Sequence, residues 1–303
     1  MKNLVEYVLL SVFRFILLLF PLPVVQKLGK AFGSFVFYCI PIRKTLVLNN
    51  LHHAFPEKSE EEIKKIALQN FQSIFTTFFE TFWFSRLTEK HIRAIVKIHG
   101  ISKIDELLSR GNGLILLSGH LSNWELMAIA VGLMSNLSLR VIIKKQHNPF
   151  VDRMMNSLRT KFNNVVVDMD RAPREIIKCL RENSAVAMLA DQSGPEEGVF
   201  VNFFGRPAST HVGPAVFSLR TGAPILIASA VRSNDGTFTI EFEEVATDAL
   251  QGTDDEKIKA ITERHVQLLE KYVRRCPSQW LWMHKRWKHT EKYLRTQMEH
   301  AGQ

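Results

Sequence analysis

"LILLSGHLSNWELMAIAVGL", residues 114–133, decides how the chain is read. An apolar run stops at Gly119 and His120; a polar knot carrying Ser122, Asn123 and Glu125 follows; apolar residues then return with helical character. On one unbroken α-helix, residues five apart lie about 140° from each other, so His120 and Glu125 would not share a face. The geometry changes if "GLILLS" is a buried strand and a helix starts near Ser122. His120 then occupies the loop at the strand's C-terminal end, and Glu125 the first turn of the helix. Ligand sites in open α/β sheets lie outside such strand ends.

Two readings of the pair stand side by side. Ser122-x-x-Glu125 has the form of a capping box, in which the glutamate satisfies an orphan amide and His120 has no chemistry. The other reading is a His–carboxylate dyad. Glu125 orients one ring nitrogen and stabilises imidazolium, and the other nitrogen takes a proton from a hydroxyl. A nearby helix N-terminus favours the neutral imidazole that a base requires. No Gly-x-Ser-x-Gly nucleophile elbow occurs, so attack by a substrate hydroxyl is the simpler scheme. The pair also lacks the HExxH spacing of a zinc hydrolase.

Further along the chain, strand-like and helical stretches alternate from about residue 95. "IVKIHG", "LRVIIKK", "NVVVDMD", "AVAMLAD", "PILIASAVRS" and "TFTIEFEEV" are short β-rich runs, and Asn234-Asp235-Gly236 is a hairpin turn. Residues 171–183 and 254–275 read as amphipathic helices. The alternation predicts an α/β fold with a mixed, mostly parallel sheet flanked by helices. Upstream, Ser59 and Glu62 form a capping box that opens a helix expected to reach about Phe84.

At the N-terminus, residues 8–25 are apolar except for Ser11 and Arg14, close to the roughly 20 residues needed to span a bilayer. Pro21 and Pro23 end any helix there. The segment reads as a membrane-anchoring helix that spans or lies in the interface; the alternative is a core helix. The expected organisation is an anchor at 1–25, a helical segment at 26–94 and an α/β catalytic domain at 95–303.

The 303 residues suffice to bury a sizeable core, and the net charge of +9 favours an anionic partner. Cys39, Cys179 and Cys276 are far apart and show neither a disulfide framework nor metal spacing, so a reducing compartment is expected. Near the C-terminus, Trp280, Trp282, His284, Lys285, Arg286, Trp287 and Lys288 mix aromatic and basic residues. That mixture suits a membrane interface with anionic head groups; single-stranded nucleic acid is the weaker reading.

"GHLSNWE" resembles the H-x4-(D/E) motif of glycerolipid acyltransferases, and "SGHLSNWEL" looks like its form in the bacterial lipid A late acyltransferases, the lauroyl and myristoyl transferases. "NNLHHAFPEKSEEE", "ADQSGPEEGVFVNFFGRPASTHVGPAVFSLRTGAPIL" and "CPSQWLWMHKRWK" are similar to further blocks of that family, in its order, over about 48–288. Ser122 departs from the glycine expected in "HxGNWE", and is strained if that position needs a positive φ. The resemblance implies a glycerol-phosphate acyltransferase-like fold and transfer of a fatty acyl chain to a lipid A precursor. The donor is an acyl thioester, acyl carrier protein before coenzyme A, and no cofactor or metal is expected. It implies His120 as general base with Glu125 as its partner. Asn123 is implied at the substrate; Asp191 and Gln192, at the end of the strand "AVAMLA", shape the site or bind the acceptor, the alternative being a helix cap or turn. Arg159 takes a phosphate-binding or structural role. Phe203, Phe204 and Gly205 line an acyl channel, with Arg206 at its mouth, although an apolar pair before a glycine is more often core. The implied location is the cytoplasmic face of the bacterial inner membrane. Rival readings are acylation of another glycolipid, such as a phosphatidylinositol mannoside, or of a lysophospholipid, and a non-catalytic lipid-binding protein.

Overall fold

Prolines divide the apolar N-terminal run. The computed structural model, which describes residues 1–170 and 172–301, places helix α1 at Lys2–Leu18 and α2 at Leu22–Cys39, with Pro23 in the first turn of α2. Helix α3 (Lys44–Ala54) follows a bend of 96°. Helix α4 (Glu60–Trp83) begins with the expected Ser59–Glu62 capping box. Among the described residues, no single helix is long and apolar enough to cross a membrane; α2 and α3 reach that test only as the bent pair. The anchor expected at 1–25 is therefore two helices. One side of α1 is held by the body: the Phe13 ring lies 5.0 Å from Phe79 and Tyr7 lies 5.5 Å from Phe150. Its other side leaves Leu4, Val5, Val8, Leu9, Val12, Phe15 and Ile16 exposed.

Alternation then sets in as expected. In chain order come α5 (Glu89–Ile95), β1 (Val96–Ile98), α6 (Ser102–Leu108), β2 (Leu114–Ser118), α7 (Trp124–Met134) and β3 (Arg140–Ile143). Next are α8 (Pro149–Arg159), β4 (Val165–Asp168), α9 (Ala172–Arg181), β5 (Ala185–Leu189), β6 (Val199–Phe203) and β7 (Arg206–Thr210). The chain finishes with α10 (Gly213–Thr221), β8 (Ile225–Arg232), β9 (Phe238–Val245), α11 (Asp254–Arg275) and α12 (Thr290–Ala301). The seven-stranded sheet has the order β1-β9-β8-β2-β5-β3-β4, and β6-β7 is a separate hairpin. Strands β8, β2, β5, β3 and β4 are mutually parallel, while β9 runs against β8 and takes β1 with it. The mixed, mostly parallel sheet is the one expected.

Strand β2 is buried along its whole length. Its residues alternate between two cores, as a period of two dictates. Ile115 and Leu117 join a cluster with α3, α4, α9 and α11. Leu114 and Leu116 join another with α1, α5, α7 and α8. The N-terminal helices thus close both faces of the sheet.

Candidate active site

Register brings the site together. In the parallel pair β2–β5, Ser118 stands opposite Leu189, so Gly119-His120 and Ala190-Asp191 leave the sheet side by side at its C-terminal edge. Gly119 permits the approach: a Cβ there would lie 3.1 Å from Asp191 Oδ2 and 2.8 Å from Leu269 Cδ1. Asp191 Oδ1 lies 2.7 Å from His120 Nδ1, and Oδ2 accepts the His120 backbone N–H at 2.6 Å. Oδ2 also accepts the indole N–H of Trp280 at 2.9 Å. The Asp191 residue is 2% exposed. The His120 side chain keeps 17% of its surface, with the Trp124 ring edge-on at 4.8 Å.

The electrostatics follow from this contact. Burial of the Asp191 carboxyl opposes ionisation, yet the His120 imidazole and three donated hydrogen bonds overcome it and hold the pKa at about 2. Burial likewise opposes an imidazolium at His120. The Asp191 carboxylate, its hydrogen bond and a weaker field from Glu125 outweigh that and raise the pKa above its ordinary value. An ionised carboxylate only accepts, so Nδ1 carries the proton and Nε2 is the basic nitrogen.

The dyad expected between His120 and Glu125 is replaced by this one. Glu125 instead forms a two-pronged pair with Arg159 of α8: Nε to Oε2 at 2.8 Å and Nη2 to Oε1 at 2.5 Å. The capping box at Ser122 is also absent. Helix α7 starts one residue later than expected, with Asn123 as its cap accepting from the Leu126 N–H at 3.0 Å. That start directs the Glu125 carboxylate toward the last turn of α8. Arg159 Nη1 donates to Asn156 at 3.1 Å, so each of the three guanidinium nitrogens has a partner within the protein.

The other expected substrate residues fall differently. Asn123 is fully buried and donates to Glu80 Oε2 at 2.8 Å, so it faces no substrate. Glu80 in turn pairs with Arg232 at 2.6 Å, an interior ion pair that ties α4 and β8 to the His120 loop. Ser122 has φ +52°; its N–H donates to Gln279 O at 2.7 Å and its carbonyl accepts from Thr77 at 3.0 Å. Gln192 is half-buried beside the dyad. Phe203 and Phe204 are buried against Phe55, Trp280 and Trp282 rather than lining an open channel, and Gly205 (φ +74°) completes the β6–β7 turn. Arg206 pairs with Glu291 at 2.8 Å.

The C-terminal aromatic-basic run is a correction as well. Trp280, Trp282 and Arg286 are buried, not displayed to a membrane interface. Arg286 donates to Ser209 O and to Thr210 Oγ1 at 2.6 Å. The run lies along the His120 loop: Leu281 N–H donates to the His120 carbonyl at 3.0 Å, and Leu121 bridges Trp280. Sequence spacing missed the Asp191 pairing and Trp280 because both partners are remote in the chain. The available signal was that Asp191 ends a predicted strand, as His120 follows one. Among the described residues, no group of three or more His, Cys, Asp or Glu side chains is placed to hold a metal.

Comparison with known proteins covers nearly the whole chain. The family described as bacterial lipid A biosynthesis acyltransferase matches residues 2–289. The chain is 27% identical to the lipid A biosynthesis lauroyltransferase of Escherichia coli over 274 residues, covering 88% of this chain and 86% of the relative. It is 25% identical to the palmitoleoyltransferase of the same organism, again over 88% and 86%. A phosphatidylinositol mannoside acyltransferase of Mycobacterium tuberculosis is 28% identical over 137 residues, 43% of this chain and 42% of the relative.

Proposed function

The chain belongs to the bacterial lipid A biosynthesis acyltransferase family, and from that premise we propose that it moves a fatty acyl chain from an acyl thioester to a hydroxyl of a lipid A precursor. The observation that carries the mechanism is the His120–Asp191 bond at the edge of the sheet. Nε2 of His120 takes the proton of the acceptor hydroxyl as its oxygen attacks the thioester carbonyl. Asp191 holds the ring and stabilises the imidazolium that forms. The tetrahedral intermediate collapses, the C–S bond breaks, and the imidazolium returns its proton to the leaving thiolate. The thioester is a co-substrate, and no cofactor enters the scheme. The Glu125–Arg159 pair braces α7 against α8 beside the imidazole, and the Glu125 carboxylate adds to the field on it.

The charge of +9 suits two anionic partners, an acidic acyl carrier protein and a phosphorylated glycolipid. The exposed apolar side of α1 suits burial in the interface of the inner membrane, on its cytoplasmic face, where the acceptor lipid is presented. Acylation of a phosphatidylinositol mannoside is the second reading, supported by a shorter similarity than the lipid A reading.

The test is mass spectrometry of products made by the purified protein in detergent from acyl carrier protein thioester and lipid A precursor. The expected product is the precursor plus one acyl chain, formed faster than from acyl-coenzyme A. Acylation of phosphatidylinositol mannoside with none of lipid A precursor would contradict the proposal.

A further inference from the structure

The interior of the site contains a residue that no acyl-transfer step uses. The indole of Trp280 is 1% exposed and spends its single N–H on Asp191 Oδ2. Its ring is wedged between Phe203, 5.4 Å away, and Trp282, 4.6 Å away. Its backbone is stitched to the loop that carries His120, through the Leu121 bridge and the Ser122 N–H to Gln279 O bond of 2.7 Å. Two buried asparagines hold the same segment from behind. Asn70 donates to Trp280 O at 2.6 Å and to Ser278 O at 3.0 Å. Asn50 donates to Trp282 O at 2.8 Å and to His284 O at 2.9 Å. The indole therefore has one place to be.

We propose that Trp280 is a positioning residue of the His120–Asp191 pair, a fixed donor that sets both the rotation and the basicity of the carboxylate. The inference rests on the reading of His120 as general base. The indole N–H donates and neither accepts nor titrates. Bonded to Oδ2, it turns Oδ1 toward the imidazole and withdraws charge from the carboxylate. Without it, a buried carboxylate oxygen loses one of its two donors, and charge concentrates on the pair with His120. The imidazolium is then held more tightly, and the base is protonated over more of the neutral range. The ionisable groups facing the pair are Glu125 from α7, with Arg159 behind it from α8, and His284 and Arg286 from the C-terminal run. Arg43, at the start of α3, faces His284 in turn.

The experiment is the pH dependence of kcat/KM for wild type, Trp280→Phe and Asp191→Asn. For Trp280→Phe the expected result is a kcat about tenfold lower, in the range of a lost hydrogen bond to a charged group. KM for the acceptor stays within twofold, and the acid limb moves to higher pH. For Asp191→Asn the limb moves the other way, because burial without the carboxylate lowers an imidazole, and the loss of activity is larger. A Trp280→Phe protein whose only change is a lower melting temperature, with rate and acid limb as in wild type, overturns the proposal. Full activity in Asp191→Asn overturns instead the reading on which it rests. A second measurement needs no variant at Trp280: the indole N–H resonances of the ¹⁵N-tryptophan-labelled protein. One is expected well downfield, bonded to a carboxylate, and to move upfield in Asp191→Asn. Indole resonances that are identical in the two proteins contradict the contact.

Discussion

Ser122 stands two residues beyond His120 with φ +52°, a conformation that costs a residue with a Cβ about 1–2 kcal/mol. Its hydroxyl is buried without a partner among the described residues. The surroundings over-determine the turn, through Gln279 on one side and Thr77 on the other. The glycine that the motif resemblance implies here is the residue such a positive φ favours. Ser122→Gly is expected to raise stability by up to about 1 kcal/mol, since relief of strain exceeds the entropy glycine adds to the unfolded chain. Activity should stay within twofold. A lower melting temperature in Ser122→Gly would show that the serine is at ease. His120 itself was legible, because a strand and a helix start bracket it. Its partner was not, since Asp191 lies 71 positions on and reaches it only through the β2–β5 register. Glu125, five positions away, was the local candidate, but the helix starts at Trp124 and hands its carboxylate to Arg159.

Between elements, α2 packs closely on α4. Gly29 and Gly33 occupy one stripe of α2, where a Cβ would lie 2.7 Å from Thr76 Cα and 2.6 Å from Gln72 Cα. Backbone meets backbone there, so a side chain has nowhere to move. Gly33→Leu is expected to cost at least the roughly 1–3 kcal/mol of an overpacked contact, read as an earlier midpoint in urea. A midpoint unchanged from wild type would mean that α2 is not seated on α4. Elements with local signals were legible: the Ser59–Glu62 cap of α4, the long α11, and the hairpin turn at Asn234-Asp235-Gly236 that joins β8 to β9. The β6–β7 hairpin was not read as strands. Its turn puts Phe204 at φ +52°, a position where turn rules expect glycine or asparagine, and a buried aromatic cluster and the Glu270 carboxylate hold it there.

Across the whole molecule, two apolar surfaces changed places relative to the sequence expectation. The tryptophan-rich run suited an interface by composition, but two of its indoles donate to interior partners, Trp280 to Asp191 and Trp282 to the Pro277 carbonyl. Composition does not separate a membrane belt from a buried brace, because both want an aromatic body and a polar tip. The apolar face left to solvent belongs to α1 and α2, with Leu9, Phe15, Leu19 and Phe35 prominent. Replacing Leu9, Phe15 and Leu19 together by glutamate is expected to leave the fold intact, since these side chains point outward, and to reduce co-sedimentation with anionic phospholipid vesicles at least tenfold. A triple variant that pellets like wild type would remove α1 from the membrane-facing surface.

The central claim is that the imidazole of His120 works as a base through the carboxylate of Asp191. The most direct measurement is the initial rate of acyl transfer to lipid A precursor by purified, folded Asp191→Asn protein at neutral pH. The account predicts a loss of at least about a hundredfold, the scale of a disabled general base. An Asp191→Asn enzyme that transfers acyl chains at the wild-type rate would contradict it.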